Sequence, residues 1–290
     1  MKKTNLQTVL LAGSTGYLGS YISKALIQEN INSKFIARSP KKLKKFESKT
    51  VKIIKAEVTN PATLVGVCDG VTTVISTVGI TRQKDGLTYM DVDYQANLNL
   101  LNEAKKAGVK KFIYVSAING NKYRNLKIFE AKEKFVDELK NSGLDYTILR
   151  PNGFFSDMKD FLNMAKKGKI YLFGNGEQKF NPIHGEDLAI LCLQAINSDK
   201  NEISVGGPDI LTLNEIGEMA LDAHHKPIKI YHLPDFTRKF IIWILRKFTS
   251  SKTYGPIEFF LTLMAEDNIA PRFGSKRLET FFRENVKSKF

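Results

Sequence analysis

Three glycines near the start of the chain have the spacing of a phosphate-binding turn. Gly13, Gly16 and Gly19 follow the apolar run 9–12 and open an amphipathic stretch. Gly13 would let the backbone turn off a strand, Gly16 would let it approach a pyrophosphate, and Gly19 would let the new helix press against the sheet. The helix N-terminus would direct N–H groups and a partial positive charge at the phosphates. This context predicts a dinucleotide site rather than a plain strand–helix turn. The residues assigned to it are Gly13, Ser14, Thr15, Gly16, Tyr17, Leu18 and Gly19.

A basic residue follows the second predicted strand, where NAD-binding sites usually have an acidic one. Arg38 comes nineteen residues after Gly19. An acidic side chain there binds the ribose 2′-hydroxyl, whereas a guanidinium suits a 2′-phosphate. Arg38 thus favours NADP(H) over NAD(H), unless it is only a solvated charge at a strand end. The residues after the third and fourth strands are predicted to border the adenine, its ribose and the pyrophosphate, namely Val58, Thr77, Val78 and Gly79.

The elements that must position these residues alternate between strands and helices. Six apolar strands are predicted, at 9–12, 34–37, 51–56, 73–77, 111–116 and 145–149, with helices at 90–107 and 128–141 among the segments between them. This alternation is typical of an α/β fold with a Rossmann-type doubly wound parallel sheet. The regularity fades after Pro151. We therefore expect residues 1–155 to form the NAD(P)-binding domain and 156–290 a smaller C-terminal substrate lobe, interleaved with it without a sharp boundary.

Composition limits the classes of protein to which the chain can belong. Its 290 residues are 42% apolar, which suffices for a core, and carry a net charge of +14. The lysines fit solvated helix faces, with attraction to anionic ligands or membrane surfaces as the alternative. No basic–aromatic platform accompanies them, so we expect no nucleic-acid partner. Cys68 and Cys192 suggest neither a disulfide framework nor a metal site. The segment 1–5 is basic but lacks the apolar stretch of a signal peptide. This predicts a cytoplasmic protein.

The segment 236–248 combines apolar and basic residues around Trp243. It contains Phe240 to Leu245, too short to span a bilayer, flanked by Arg and Lys pairs. It predicts either a basic amphipathic surface that docks on a membrane or protein partner, or a helix buried in the substrate lobe or in a dimer contact.

Four stretches carry a resemblance to a known family. They are Gly13 to Gly19, Tyr114 to Ala117, Ser142 to Pro151 and Ile183 to Ala189. Through them nearly the whole chain resembles the atypical or extended short-chain dehydrogenase/reductase superfamily, and more narrowly the NmrA-like and divinyl-reductase-like proteins.

The resemblance implies an incomplete set of catalytic residues. In that superfamily a serine at the end of the fifth strand, a tyrosine and a lysine four residues later do the chemistry. The resemblance implies Ser116 for the serine and Lys132 for the lysine, which also binds the nicotinamide ribose. Ile128 then occupies the tyrosine position and cannot transfer a proton, so the proton must come from elsewhere. The alternative pair, Tyr123 and Lys127, comes five residues too early.

The later motifs imply binding and support. Pro151, Asn152 and Phe154 resemble the loop against which nicotinamide rests in relatives. His184 belongs to a motif that normally supports the second lobe, so a structural role is expected, and Asp187 is predicted to cap the following helix.

These observations together favour an NADP(H)-dependent oxidoreductase of the atypical kind, acting on a small or hydrophobic organic substrate. Two alternatives remain open. Ile128 favours a non-catalytic, NADP(H)-binding redox sensor, as some NmrA-like proteins are, and the 236–248 segment permits an assembly factor of a membrane complex.

Overall fold

The structure is a computed structural model that describes residues 7–81 and 86–287. Residues 1–5, on which the signal-peptide argument depends, lie outside these ranges. The chain forms two compact units. The first runs to Arg150 and adds Leu188–Ile203, and the second combines Pro151–Asp187 with Ser204 onward.

The strands and helices alternate through the first half of the chain. The strands are β1 Thr8–Ala12, β2 Asn32–Ala37, β3 Val51–Lys55, β4 Thr73–Ser76, β5 Lys111–Val115, β6 Asp145–Pro151, β7 Ile170–Phe173, β8 Lys179–Phe180, β9 Glu202–Val205, β10 Leu211–Thr212 and β11 Ile230–Leu233. The helices are α1 Tyr17–Gln28, α2 Asn97–Lys106, α3 Lys127–Lys140, α4 Lys159–Lys166, α5 Gly185–Gln194, α6 Leu213–Ala223, α7 Asp235–Phe248, α8 Ser251–Leu263 and α9 Leu278–Lys287.

The main sheet has the strand order β3-β2-β1-β4-β5-β6-β9, and every pair from β3 to β6 is parallel. This order confirms the predicted Rossmann-type sheet. The chain order reverses between β1 and β4, which is where such sheets bind their ligands, outside the carboxyl ends of the strands.

Apolar side chains on both faces of the sheet form the core of the first unit. All four residues of β4 are buried, as are four of the five in β1. Strands covered on both faces read as nearly continuous apolar runs, as β1 does from Val9 to Ala12. The ring of Tyr114 on β5 packs edge to face against Phe135 on α3, with centroids 4.7 Å apart. This contact fixes α3, which carries Lys132, against the sheet.

The predicted helix 90–107 is two elements instead of one. Met90–Ala96 is a π-helical turn, and α2 begins only at Asn97. The buried side chain of Asn97 donates to the carbonyls of Val92 and Asp93, at 3.3 and 2.9 Å, and accepts from Ser76 at the end of β4, at 2.6 Å. These side-chain bonds favour the wider turn, because they satisfy backbone carbonyls. Such turns often occur at functional sites.

The second unit has its own apolar core. The helix cap predicted at Asp187 in this unit is wrong. α5 begins at Gly185, so Asp187 is inside its first turn and does not cap it. The Asp187 carboxylate instead accepts the amides of Ser275 and Lys276, at 3.1 and 3.0 Å. His184 precedes the helix, and its Nδ1 accepts the Glu186 amide at 3.2 Å. Burial lowers the pKa of His184, which keeps that nitrogen an acceptor. These contacts agree with the structural role expected for His184.

α7 lies on the surface of the second unit and packs against α8. None of its fourteen residues is buried. The expectation of a helix buried in the substrate lobe is therefore wrong, since the helix contributes only part of one face to packing. Within residues 7–81 and 86–287, no helix is both long enough and apolar enough to cross a membrane.

Candidate functional site

Two positions at the turn between β1 and α1, Gly13 and Gly19, accept only glycine. Gly13 has a φ of +84°, and a Cβ there would lie 2.4 Å from Oγ1 of Thr77. A Cβ on Gly19 would lie 2.1 Å from the carbonyl oxygen of Gly13. The backbone therefore passes closer to its neighbours than any side chain allows. The amide of Gly16 closes the turn by donating to the Gly13 carbonyl at 2.9 Å.

The N-terminus of α1 is arranged to receive an anion. Among the described residues no side chain caps this helix at Gly16, and its first turn contains no acidic residue. The first amides of a helix have no partner within the helix, and its dipole favours negative charge there. The glycine turn and the N-terminus of α1 together fit the diphosphate of a dinucleotide.

A cavity of about 340 Å³ opens beside this turn, at the carboxyl ends of the first four strands. Its volume is within the range of small-molecule sites. Eight of the predicted cofactor residues line it, namely Gly13, Thr15, Gly16, Arg38, Val58, Thr77, Val78 and Gly79. Their contact with a dinucleotide stays a prediction.

The side chains of the other residues predicted in the 13–19 turn contact other parts of the protein. Ser14 is fully buried, and its hydroxyl donates to the Ile36 carbonyl at 3.0 Å. Leu18 is buried in the core, and the Tyr17 ring packs edge to face on Tyr21. Only the backbones of Ser14, Tyr17 and Leu18 are therefore suited to meet a ligand.

Arg38 stands at the rim of the cavity. Its Nε lies 3.4 Å from Oε2 of Glu57, which also lines the cavity, and 64% of the Arg38 side chain is exposed. The ion pair orients the guanidinium without burying it. β2 ends at Ala37, so a cation directly follows this strand, and the Glu57 carboxylate beside it pairs with that cation.

Lys132 forms a buried ion pair beside the cavity wall. Its Nζ lies 2.8 Å from Oδ1 of Asp93, which is completely buried in the π-helical turn. The amide of Ile80 donates to the other carboxylate oxygen at 3.1 Å. A Cβ on Gly79 would lie 2.9 Å from Nζ and 2.6 Å from Asp93 Oδ1. Because Gly79 has no side chain, the ion pair lies directly behind the wall of the cavity.

The charge on Lys132 is held by its neighbours. Burial alone would lower the pKa of its ammonium, but the Asp93 carboxylate and the Tyr114 hydroxyl outweigh burial and raise that pKa above its usual value. The Tyr114 ring lies 5.7 Å from Nζ. These neighbours therefore favour the ammonium form of Lys132 despite its burial.

Ser116 belongs to a second buried network. Its hydroxyl donates to Glu133 Oε1 at 3.1 Å, and that carboxylate pairs with both terminal nitrogens of Arg150, at 2.6 and 2.9 Å. Arg150 Nε also donates to Glu202, at 2.8 Å. Ser116 is 5% exposed and the Glu133 side chain is fully buried. The hydroxyl thus orients a structural charge pair in this structure, and its catalytic role stays a prediction.

The tyrosine position is apolar, as predicted. Ile128 lies one turn before Lys132 on α3 and is buried. In the alternative pair, the Tyr123 ring stacks on Phe129, while the exposed Lys127 pairs with Glu130 at 2.8 Å.

The predicted nicotinamide loop belongs to the second unit. Pro151 ends β6, and the Phe154 amide donates to the Asp157 carboxylate at 3.0 Å. The buried carboxamide of Asn152 donates to Asn181 Oδ1, at 2.8 Å, and to the carbonyl of Asn268. Both amide protons of Asn152 are engaged in this network. Contact of these residues with nicotinamide stays a prediction.

Four charged residues of these networks are missing from the sequence prediction, namely Asp93, Glu133, Arg150 and Glu202. A signal for one of them was present. Glu133 lies at helical spacing between Phe129 and Val136, on the apolar face of α3, where an unpaired charge would be costly.

A family model described as NAD(P)H-binding matches residues 13–199, well over half of the chain. The chain belongs to this NAD(P)H-binding family. The chain is 27% identical to the chloroplastic divinyl chlorophyllide a 8-vinyl-reductase of Zea mays. The alignment covers 97% of this chain and 79% of the relative. It is also 30% identical to the photosystem II assembly factor Ycf39 of Synechocystis, over 52% of this chain and 46% of that protein.

Solved structures resemble this family member over nearly its full length. A nucleoside-diphosphate-sugar epimerase of Staphylococcus aureus superposes with a TM-score of 0.71 at 17% identity, covering 96% of this chain and 100% of that one. The UDP-N-acetylglucosamine 4-epimerase of Methanobrevibacter ruminantium gives a TM-score of 0.71 at 20% identity, with coverage of 98% and 99%. At these identities the likeness concerns the fold. The family match, these relatives and these structures confirm the resemblance to the short-chain dehydrogenase/reductase superfamily.

Proposed function

We propose that the protein is an NADP(H)-dependent oxidoreductase of the atypical short-chain type, acting on a hydrophobic organic substrate. The observation that carries this proposal is the buried Lys132–Asp93 pair behind Gly79. Buried ion pairs contribute little to stability, and apolar replacements are often neutral or stabilising. A charged pair held against the wall of a cofactor cavity is therefore better explained by chemistry at the site than by folding.

The residues of the first unit divide the work of binding. The amides of the 13–19 turn would hold the diphosphate, and Arg38 would hold the 2′-phosphate. Lys132 would donate hydrogen bonds to the nicotinamide ribose and keep a positive charge near the reacting centre, where it stabilises negative charge that develops on the substrate. When bound, the nicotinamide supplies or accepts a hydride.

The residue at position 128 restricts the reaction. Isoleucine has no proton to give, so a carbonyl reduction would lack its usual phenolic acid. Reduction of a conjugated carbon–carbon double bond places the proton on carbon, where a water molecule can supply it. The divinyl chlorophyllide 8-vinyl-reductases, which align with 97% of the chain, are named for the reduction of a vinyl group. Their similarity supports an activated alkene as the substrate class.

Titration of NADPH and NADH, followed by nicotinamide fluorescence, tests the cofactor preference. We expect Arg38→Ala to weaken NADPH binding by about tenfold, the size of one charge-assisted contact, and to leave NADH binding nearly unchanged. Lys105→Ala is the matched control, because Lys105 is an exposed cation on α2 away from the cavity. Tighter binding of NADH than NADPH by the unmodified protein would refute the assignment.

Turnover is tested by the loss of NADPH absorbance with a panel of apolar enones and vinyl-substituted aromatic rings. We expect Lys132→Met to bind NADPH more weakly and to reduce turnover by about 10²-fold or more, as loss of one preorganised electrostatic contact does. Binding of NADPH without turnover of any substrate would favour the second candidate.

The second candidate is a non-catalytic redox sensor or assembly factor. Two residues of the first unit favour it, because Ile128 is apolar and the Ser116 hydroxyl is engaged with the buried Glu133. The similarity to the assembly factor Ycf39, which covers about half of each chain, also supports it. The signature of this second candidate would be a protein partner that is retained with one redox form of the cofactor and released by the other.

A further inference from the structure

The exposed apolar surface of the second unit is concentrated in one segment. Of the thirteen large apolar side chains that are exposed in the described chain, nine lie between Ile228 and Ile257, and five of those nine belong to α7. Exposed apolar side chains that adjoin one another mark an interaction site, whereas scattered single ones do not.

The outer face of α7 presents a stripe of aromatic rings. Phe236, Phe240 and Trp243 have the i, i+4, i+7 spacing of one helix face, with exposures of 70, 57 and 54%. The rings of Phe240 and Trp243 stack, with centroids 6.0 Å apart. On the other side of the helix Arg238 is 11% exposed and pairs with Asp235. The helix therefore packs through one face and leaves the aromatic one without intramolecular cover.

Basic residues surround this stripe. Lys247 Nζ lies 5.2 Å from the Trp243 ring, and the side chain of Lys239 is 72% exposed. Residues 228–258 contain two acidic side chains, Asp235 and Glu258, which pair with Arg238 and Arg246, and four further basic ones, namely Lys229, Lys239, Lys247 and Lys252. An isologous contact between two copies would bring these like charges together, which disfavours a dimer through this face.

We propose that α7 docks the protein on the surface of an anionic lipid bilayer. The helix would lie in the interface plane, with Phe236, Phe240 and Trp243 between the headgroups and the acyl chains. Lys239 and Lys247 would extend along the apolar boundary and keep their ammonium groups at the anionic headgroups. The proposal does not depend on the cofactor, because its residues all belong to the second unit.

The single tryptophan of the chain is a built-in reporter. We expect vesicles that contain phosphatidylglycerol to shift the Trp243 emission to the blue and brominated lipids to quench it. Vesicles of phosphatidylcholine alone should do neither. Binding measured by co-sedimentation should weaken as NaCl screens the headgroups.

Two variants separate docking from general attraction by the positive net charge. We expect Phe236→Ser, Phe240→Ser and Trp243→Ser combined to reduce the bound fraction by about tenfold or more, because the apolar anchor is lost. Lys239→Glu with Lys247→Glu should reduce it similarly. The control, Lys105→Glu with Lys106→Glu, makes the same charge change on exposed positions of α2 and should bind as the unmodified protein does.

Three results would overturn the proposal. One is sedimentation with anionic vesicles that the triple substitution leaves unchanged, provided that circular dichroism shows both proteins folded. Another is an unshifted Trp243 emission in vesicle-bound protein. The third is a dimer in sedimentation equilibrium that the triple substitution abolishes, without vesicle binding by the unmodified protein, since the face would then be an interface between copies.

Discussion

At the scale of single residues, two buried charge pairs of α3 have different neighbours. Lys132 and Asp93 lie behind Gly79 at the wall of the cavity, whereas Glu133 and Arg150 join α3 to the end of β6. Adjacent residues on one helix thus belong to two separate charge networks. Their side chains leave the helix about 100° apart, so they reach different partners.

Asp93→Asn should make the ammonium of Lys132 titrate at lower pH. With the carboxylate removed, burial lowers the pKa of Lys132, so the positive charge is lost as pH rises. We expect NADPH affinity of the variant to fall between about pH 7 and pH 10, while that of the unmodified protein stays flat over this range. Fluorescence titration at each pH measures this.

Asp91→Asn is the control, because Asp91 lies on the same turn and bonds locally to Thr88. A flat profile for Asp93→Asn would show that Asp93 does not hold the charge of Lys132.

Arg150→Met should destabilise the first unit through Glu133. It leaves a fully buried carboxylate without its cation, a change that costs about 3–5 kcal/mol in the free energy of unfolding. Urea titration measures this. The control, Lys127→Met, breaks a half-exposed pair with Glu130 and should cost at most about 1 kcal/mol. Adding Glu133→Gln to Arg150→Met should recover part of the loss, and no recovery would show that the cost has another origin.

At the scale of elements, the turn before α1 and the turn before α2 position the site from opposite sides. The first is short because three glycines let β1 and α1 approach each other. The second is widened by the side-chain bonds of Asn97, and Asp93 lies in the widened part. Both face the carboxyl end of β4, at Thr77 and Gly79.

Gly19→Ala should damage this turn more than the same change in another helix. Its Cβ would lie 2.1 Å from a backbone oxygen, so β1 and α1 must separate. We expect a loss of at least about 2 kcal/mol in stability, together with the loss of NADPH binding. Gly217→Ala in α6 is the control, because its Cβ would meet only the ends of Ile230 and Ile170, at 3.3 and 3.4 Å.

Gly217→Ala should change stability by no more than about 1 kcal/mol, since better helix propensity offsets a tight contact. Thermal melting with and without NADPH compares the two variants. Equal effects of the two substitutions would contradict the role given to the turn.

At the scale of the whole molecule, the net charge of +14 should act on the cofactor through its 2′-phosphate. NADPH carries more negative charge than NADH, so salt should screen its binding more strongly. From about 50 to 500 mM NaCl, we expect the affinity for NADPH to fall more steeply than that for NADH. Ligand-induced shifts in melting temperature measure both. Parallel salt dependences would argue that no basic residue binds the 2′-phosphate.

Local patterns in the sequence determined the parallel sheet, the glycine turn and the presence of helix α3. Strands and turns are set by residues within a few positions of each other, and regular alternation of strands and helices indicates a parallel sheet. The capping box of Thr212 with Glu215 at the start of α6 is another local feature, because its two residues are three positions apart.

Only the tertiary structure decided which distant charges meet. Asp93 and Lys132 are thirty-nine positions apart, and Glu133 and Arg150 seventeen. The first pair forms because α3 packs against the π-helical turn, and the second because α3 lies beside the end of β6, so no local spacing reveals them. The π-helical turn and the role of Asp187 were missed for the same physical reason. The side chain of Asn97 bonds to backbone carbonyls that a regular helix would have satisfied itself. The Asp187 carboxylate accepts backbone amides that are remote in the sequence.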